Sequence, residues 1–210
     1  MGKSLVAVGL ATALVAGCGG SKPAPEEEPS QSVSVVQPGA PGEPTKKVDP
    51  NATPAAIQHT QADVEFMQGM IHHHQQALTM TDWVPERTRS TSVRLMARRM
   101  GLSQQAEIDQ MWKWLEARGV DPTDHSHRHT TMPGMLTSRQ LERLKTADGA
   151  RFDALFLRYM TQHHRGALQM VSDLRDAGGG LQSEIDKLAR EVATDQEIEI
   201  MRMQDLLGAR

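Results

Sequence analysis

An internal duplication constrains this chain more than any other feature. Asp63, Phe66, Met70, His73, His74, Ala77, Leu78 and Met80 recur in the same order as Asp153, Phe156, Met160, His163, His164, Ala167, Leu168 and Met170, an offset of 90 residues. Gln104, Glu107, Ile108, Met111 and Leu115 recur as Gln196, Glu199, Ile200, Met203 and Leu207, an offset of 92. The chain therefore holds two copies of one two-segment unit, spanning about 60–118 and 150–208 and joined by a connector over 119–149. Repetition of this kind marks a unit whose apolar face is covered by its neighbour.

Each segment has the period of a helix. Phe66, Met70, His73, Ala77 and Met80 step by four, three, four and three, which places them in one stripe, and Phe156, Met160, His163, Ala167 and Met170 repeat it. Ala97, Met100, Gln104, Ile108, Met111 and Leu115 form the stripe of the second helix, echoed by Ala189, Val192, Gln196, Ile200, Met203 and Leu207. Thr53-Pro54 has the form of a cap followed by proline at the first helical position. Pro85 ends the turn before the second helix, Gly119 closes that helix, and Gly178-Gly179-Gly180 separates the last two. Thr137 with Gln140 three residues on is a capping box for a short helix before Gly149. The expectation is an all-α domain over 53–210, an antiparallel four-helix bundle built from two helix pairs, with the 119–136 connection crossing the bundle end.

The start of the chain has a different character. Lys3, the apolar run Leu5 to Val15, and the small residues Val15-Ala16-Gly17 before Cys18 resemble the signal peptide and lipobox of bacterial lipoproteins. That resemblance implies export, removal of residues 1–17 and a lipid anchor on Cys18. The run is shorter than the ~20 apolar residues of a membrane span. Residues 18–52 hold seven of the 11 prolines and Glu26-Glu27-Glu28, a composition too poor in apolar groups to form a core, so they read as a flexible tether. Cys18 is the only cysteine, which excludes an intramolecular disulfide and thiolate-rich zinc sites. Net charge is −3, with 23 basic and 26 acidic residues well mixed, so bulk charge gives no reason to expect nucleic acid or an anionic membrane surface as partner.

The unusual residues are 13 Met and nine His. Methionine fills gaps in helical cores, and with 3% aromatics this chain needs such filling. Packing does not explain why Met70, His73, His74 and Met80 keep their relations in Met160, His163, His164 and Met170. Residues three or four apart on a helix share a face, so thioether and imidazole can converge. Thioether suits Cu(I), and imidazole suits copper, zinc, nickel and iron, so the mixed set points to copper with silver as its mimic. Glu107 and Glu199, one step off the second-helix stripes, need a partner if buried. Either an imidazole across the bundle or a metal would serve, and a metal-free His-Glu-Gln hydrogen-bond network stays open as the alternative.

In the connector, His125, His127 and His129 alternate, with Asp121 and Asp124 before and Met132 and Met135 after. Alternate residues of an extended segment point the same way, so three imidazoles could reach one ion. His59 and His72 read as exposed.

Taken together, the doubled Phe-x3-Met-x2-His-His-x2-Ala-x2-Met element, the Gln-x2-Glu-Ile-x2-Met element and Met132-Pro133-Gly134-Met135-Leu136-Thr137 resemble the family described as domain of unknown function 305. The resemblance covers residues 60–208. It implies an exported bacterial protein with a ferritin-like four-helix fold, copper binding or copper tolerance, and ligand roles for Met70, His73, His74, Met80, Met132, Met135, Met160, His163, His164 and Met170. His72 departs from the doubled pattern, since Gln162 stands at its counterpart.

The function expected is a non-enzymatic, membrane-tethered copper binder, with Cu(I) favoured, no organic cofactor and a copper-transfer protein as a candidate partner. A ferritin-like oxidase uses Glu-x-x-His on two helices. No glutamate here has histidine three residues on, and Glu107 and Glu199 are followed there by Gln110 and Arg202. The metalloprotease pattern His-Glu-x-x-His is also absent. A helical interaction module without metal is the third class.

Overall fold

The computed structural model describes residues 58–124 and 132–209, together with the backbone of 35–37 and 46–48. Contacts divide the chain into two compact units, 1–54 and 55–210. In the first, β1 (Val35–Gln37) pairs antiparallel with β2 (Lys46–Val48), with Val35 opposite Val48 and Gln37 opposite Lys46. This short ladder lies within the segment 18–52 that the sequence marks as a tether. Val35, Val36 and Val48 in the two strands are β-branched residues that favour extended backbone. Cys18, the signal-like segment and Thr53-Pro54 lie outside the described residues. No described helix is long and apolar enough to cross a membrane.

The second unit consists of α1 (Gln61–Asp82), the single turn α2 (Val84–Arg87), α3 (Thr91–Glu116), α4 (Ser138–Lys145), α5 (Gly149–Asp176) and α6 (Ser183–Gly208). The described part of α1 starts behind Thr60. The Thr60 hydroxyl accepts from the Asp63 amide at 3.1 Å, and the Asp63 carboxylate accepts from the Thr60 amide at 2.7 Å. These two bonds satisfy amides that a helix start leaves unpaired. The other Asp63 oxygen accepts from the Gly180 amide at 2.6 Å, tying this helix start to the α5–α6 turn. Pro85 lies inside α2 instead of ending a turn, and Ser90 caps α3 by accepting from the Val93 amide. The Thr137–Gln140 capping box opens α4 as its sequence predicts.

The helix pair α1–α3 and the helix pair α5–α6 join along α1 and α5, while α3 and α6 touch only lightly. His73 meets His163 at the crossing, and Gly69 meets Met170 farther along, so α1 and α5 run antiparallel. The striped residues are buried as their spacing requires, apart from half-buried Leu207. Two core clusters lie along the bundle. One contains Met67, Met70, Met111, Leu115, Met170 and Ile185, and the other Met80, Met100, Leu144, Phe152, Phe156, Met160 and Met203. Met70, Met80, Met100, Met111, Met160 and Met203 are all fully buried, so thioethers do much of the packing that aromatics do elsewhere.

The connector does not cross the bundle end. Because α3 runs antiparallel to α1, it ends beside the start of α1, and α5 begins beside the end of α1. A chain joining the two must travel the length of the bundle. Its described residues 132–136 lie on the α1/α5 face, with Pro133 and Gly134 over the middle of both helices.

Candidate metal centre

The four paired histidines occupy the polar middle of the bundle, between the two apolar clusters. All are within 1% of complete burial. The imidazoles of His73 and His163 stack across the helix crossing with centroids 3.7 Å apart and planes tilted by 37°. The adjacent histidines turn toward the second helix of their own copy. His74 Nε2 lies 2.6 Å from a Glu107 carboxylate oxygen, and His164 Nε2 lies 2.6 Å from Glu199. Both glutamates are buried, so the partner that burial demands is an imidazole in each copy. The carboxylates go to the second histidine of each pair and not to the one on the stripe.

The electrostatics keep the His73, His163 and His164 rings neutral. Burial depresses His73 to about 3, helped by neighbouring His74 and opposed by its bond to Pro133. Burial likewise depresses His164 to about 3, with His74 adding to the effect and Glu107 opposing it. His163 is held well below the ordinary value by burial and by His73 and His164. Glu199 is raised to about 7 by burial and by nearby Glu107, and His74 opposes this. The His164–Glu199 contact is thus a hydrogen bond between weakly charged partners, not an imidazolium–carboxylate ion pair. A neutral imidazole is the form that coordinates a metal.

Several ring nitrogens are uncommitted. Neither nitrogen of His163 has a hydrogen-bond partner of good geometry, and Nδ1 of His73, His74 and His164 has none. The side-chain amide of Gln104 and the oxygen of Gln196, both on the stripes, are buried without partners too. Orphaned buried polar atoms cost ~1–3 kcal/mol each, so this middle layer holds binding capacity that the fold leaves unspent. Among the described residues no group of three or more His, Cys, Asp or Glu side chains is placed to hold a metal ion.

The antiparallel crossing decides which thioethers meet. Met70 shares a core cluster with Met170, with half-buried Met132 packed against it, and Met80 shares the other with Met160. Each set draws on both copies of the repeat. Met80 and Met170 lie seven residues from the stripe histidine of their own helix, ~10 Å along the axis, so they do not converge with it. Gly69 lets Met170 come close: a Cβ there would lie 3.2 Å from Met170 Cε, while Met132 Sδ, at 3.7 Å, would be in ordinary contact.

Residues 132–136 form a strap over the stacked histidines, a feature sequence reasoning did not anticipate. The Pro133 carbonyl accepts from His73 Nε2 at 3.0 Å. Gln76 holds Leu136 at both ends, donating to its carbonyl at 3.1 Å and accepting from its amide at 2.7 Å. Gly134 adopts φ +74 and lies on the backbone of Gly166, where a Cβ would stand 2.1 Å from the Pro133 oxygen. Gln162 donates to the Gly134 carbonyl at 3.3 Å. Gly166 and Gln76 occupy equivalent repeat positions, as do Gln162 and His72. Two of the positions where the duplication breaks, Gln76/Gly166 and His72/Gln162, include residues that the single strap touches.

Met135 is half-buried in the strap, and His72 and His59 are half-buried instead of exposed. The His59 ring stands edge-on to Trp114 with centroids 5.6 Å apart. His125, His127 and His129 lie outside the described residues.

The comparisons agree with this architecture. A DUF305 protein from Streptomyces coelicolor superposes with a TM-score of 0.65 at 32% identity, over 70% of this chain and 91% of its own. A DUF305 fragment from Deinococcus radiodurans superposes with 0.66 at 32%, over 73% and 100%. CopM in its Cu(I)-bound form superposes with 0.59 at 26%, over 71% and 98%, and that protein was also crystallised with Cu(II) and with silver. A shorter match, 38% identical over 56 residues, is to the uncharacterized protein L153 of Acanthamoeba polyphaga mimivirus. It covers 27% of this chain and 37% of that protein. The family model described as domain of unknown function (DUF305) matches residues 63–207, and the chain belongs to that family.

Proposed function

We propose that this protein binds copper, Cu(I) in preference to other ions, as an exported carrier or sequestering protein and not as an enzyme. The observation that carries the reading is the pair of stacked, neutral histidines with uncommitted nitrogens, set between two methionine-rich clusters. Soft thioether with imidazole is a donor set suited to Cu(I). The copper- and silver-bound forms of CopM support the same choice.

His73 with Met70, and His163 with Met160, supply the primary donors, one helical turn apart on their helices. Met170 and Met132 extend the first set, and Met80 the second. Glu107 and Glu199 hold His74 and His164 in fixed orientation, with Nδ1 of each ring left for an ion. His125, His127, His129 and Met135 on the connector form a capture site. Cys18 carries the lipid anchor that keeps the domain at the outer face of a membrane, and a copper-transfer protein receives or supplies the ion.

The test is a Cu(I) titration against a competing chelator. His73→Ala with His163→Ala should weaken binding by about ten-fold or more, as losing a supporting or direct ligand does. Met70→Leu with Met160→Leu, which preserves packing, should also weaken it. Retention of full affinity by both double variants would remove the bundle as the site. Stoichiometry unchanged after replacing His125, His127 and His129 would remove the connector.

A further inference from the structure

The first half of α3 presents an apolar and basic face that the bundle leaves uncovered. Leu95 is 52% and Leu102 66% exposed, two turns apart on the same side. Arg94, Arg98 and Arg99 are exposed among them, and Arg89 stands just ahead of the helix. From Thr88 to Ala106 there are four arginines and no acidic residue, in a chain whose net charge is −3. Arg87, Arg118 and Arg190 are paired with Asp148, Glu184 and Asp186. Among the described residues none of these four arginines has an ion pair. Leu95 stands between two grooves, one of about 670 Å³ that Arg94, Arg98 and Leu102 line, the other of about 320 Å³ that Arg99 and Arg202 line. Asp82 lines the first groove, and Asp205 and buried Glu199 line the second.

We propose that this face docks on an anionic lipid surface. Leu95 and Leu102 enter the boundary between headgroups and acyl chains, and Arg89, Arg94, Arg98 and Arg99 pair with lipid phosphates. Apolar tips on a crest with guanidinium groups on both flanks is the arrangement of a helix lying in a membrane interface. An acidic partner helix would need one continuous groove, and here the Leu95 crest divides two. Bulk charge concealed this face because most of the acidic residues lie elsewhere on the chain. The inference rests on the α3 surface alone and does not depend on a lipid at Cys18 or on copper.

The test uses residues 19–210, which lack the signal-like segment and Cys18 but keep the 55–210 unit with both core clusters. A DUF305 fragment that aligns to this unit over its whole length folds and crystallises. Cosedimentation is measured with vesicles of phosphatidylcholine alone and of equal parts phosphatidylglycerol and phosphatidylcholine, at low salt. The protein should partition onto the anionic vesicles and leave them as salt rises. Each arginine contributes about five-fold, so Arg94→Ala, Arg98→Ala and Arg99→Ala together should reduce partitioning by about a hundred-fold. The matched α5 set Arg151→Ala, Arg158→Ala and Arg165→Ala should leave most of it intact. Leu95→Cys creates the only thiol in this chain, and a polarity-sensitive label there should shift to the blue on anionic vesicles even if the triple variant misfolds. An unshifted label, equal loss in the α5 set, or no preference for phosphatidylglycerol would overturn the proposal. So would a dimer in the absence of lipid that Leu95→Ala with Leu102→Ala abolishes.

Discussion

Gly166→Ala sets helix propensity directly against the strap. In the interior of an isolated helix this change stabilises by ~1 kcal/mol. In this fold the new Cβ would stand 2.1 Å from the Pro133 oxygen, 2.4 Å from its carbonyl carbon and 2.5 Å from Gly134 Cα. These are backbone atoms, so no rotamer change relieves the clash, and the strap must lift by about 1 Å or more to reach ordinary contact. Lifting breaks the bond from His73 Nε2 to Pro133 and leaves a fully buried ring nitrogen unpaired, at ~1–3 kcal/mol. It also strains the two Gln76–Leu136 bonds, worth ~1 kcal/mol each, and partly uncovers buried Leu136. The penalties outweigh the propensity gain, and the net expectation is a loss of about 2–4 kcal/mol. Urea unfolding gives the stability, and hydrogen exchange at the Leu136 amide reports whether the strap has lifted. A variant about 1 kcal/mol more stable than the parent, with that amide equally protected, would refute the seating of the strap on Gly166.

Acid should destabilise the metal-free protein. His73 and His164 titrate near 3 and His163 well below its ordinary value when folded, so the unfolded chain takes up protons below pH ~6.5 that the native state refuses. Stability then falls as pH drops from about 6.5 toward 3. Glu199, raised to about 7, acts in the opposite sense between about 7 and 4.5, but it is one group against three. Thermal midpoints at pH 7, 5.5 and 4 should decline in that order, and a flat profile would count against three buried neutral histidines. Glu199→Gln removes a carboxylate that burial makes costly to ionise, so relative to the parent it should gain about 2–3 kcal/mol between pH 5 and pH 8, read by denaturation at each pH. Leu144→Ala, which empties a fully buried position on α4, should cost ~2–4 kcal/mol in the same assay.

The helices were legible in the sequence because their signal is local. A period of 3.6 residues places Phe66, Met70, His73, Ala77 and Met80 on one face whatever lies opposite, and the duplication doubles that signal in α5. The Thr137–Gln140 capping box is equally local, whereas the Thr60–Asp63 box at the described start of α1 was not read from the sequence. The need of Glu107 and Glu199 for buried partners also followed from burial alone. Tertiary structure decided which partners they took: His74 and His164, which lie off the stripe, while His73 and His163 stack on each other. It also decided that Met70 shares a core cluster with Met170 and Met80 with Met160, because two antiparallel helices crossing at their histidines bring the start of one beside the end of the other. Spacing along one helix cannot specify that exchange, since it depends on where the axes cross. The strap follows from the same geometry: with α3 ending and α5 beginning at opposite ends of the bundle, a single connector must run its length, and it shields the His73–His163 stack on one side only.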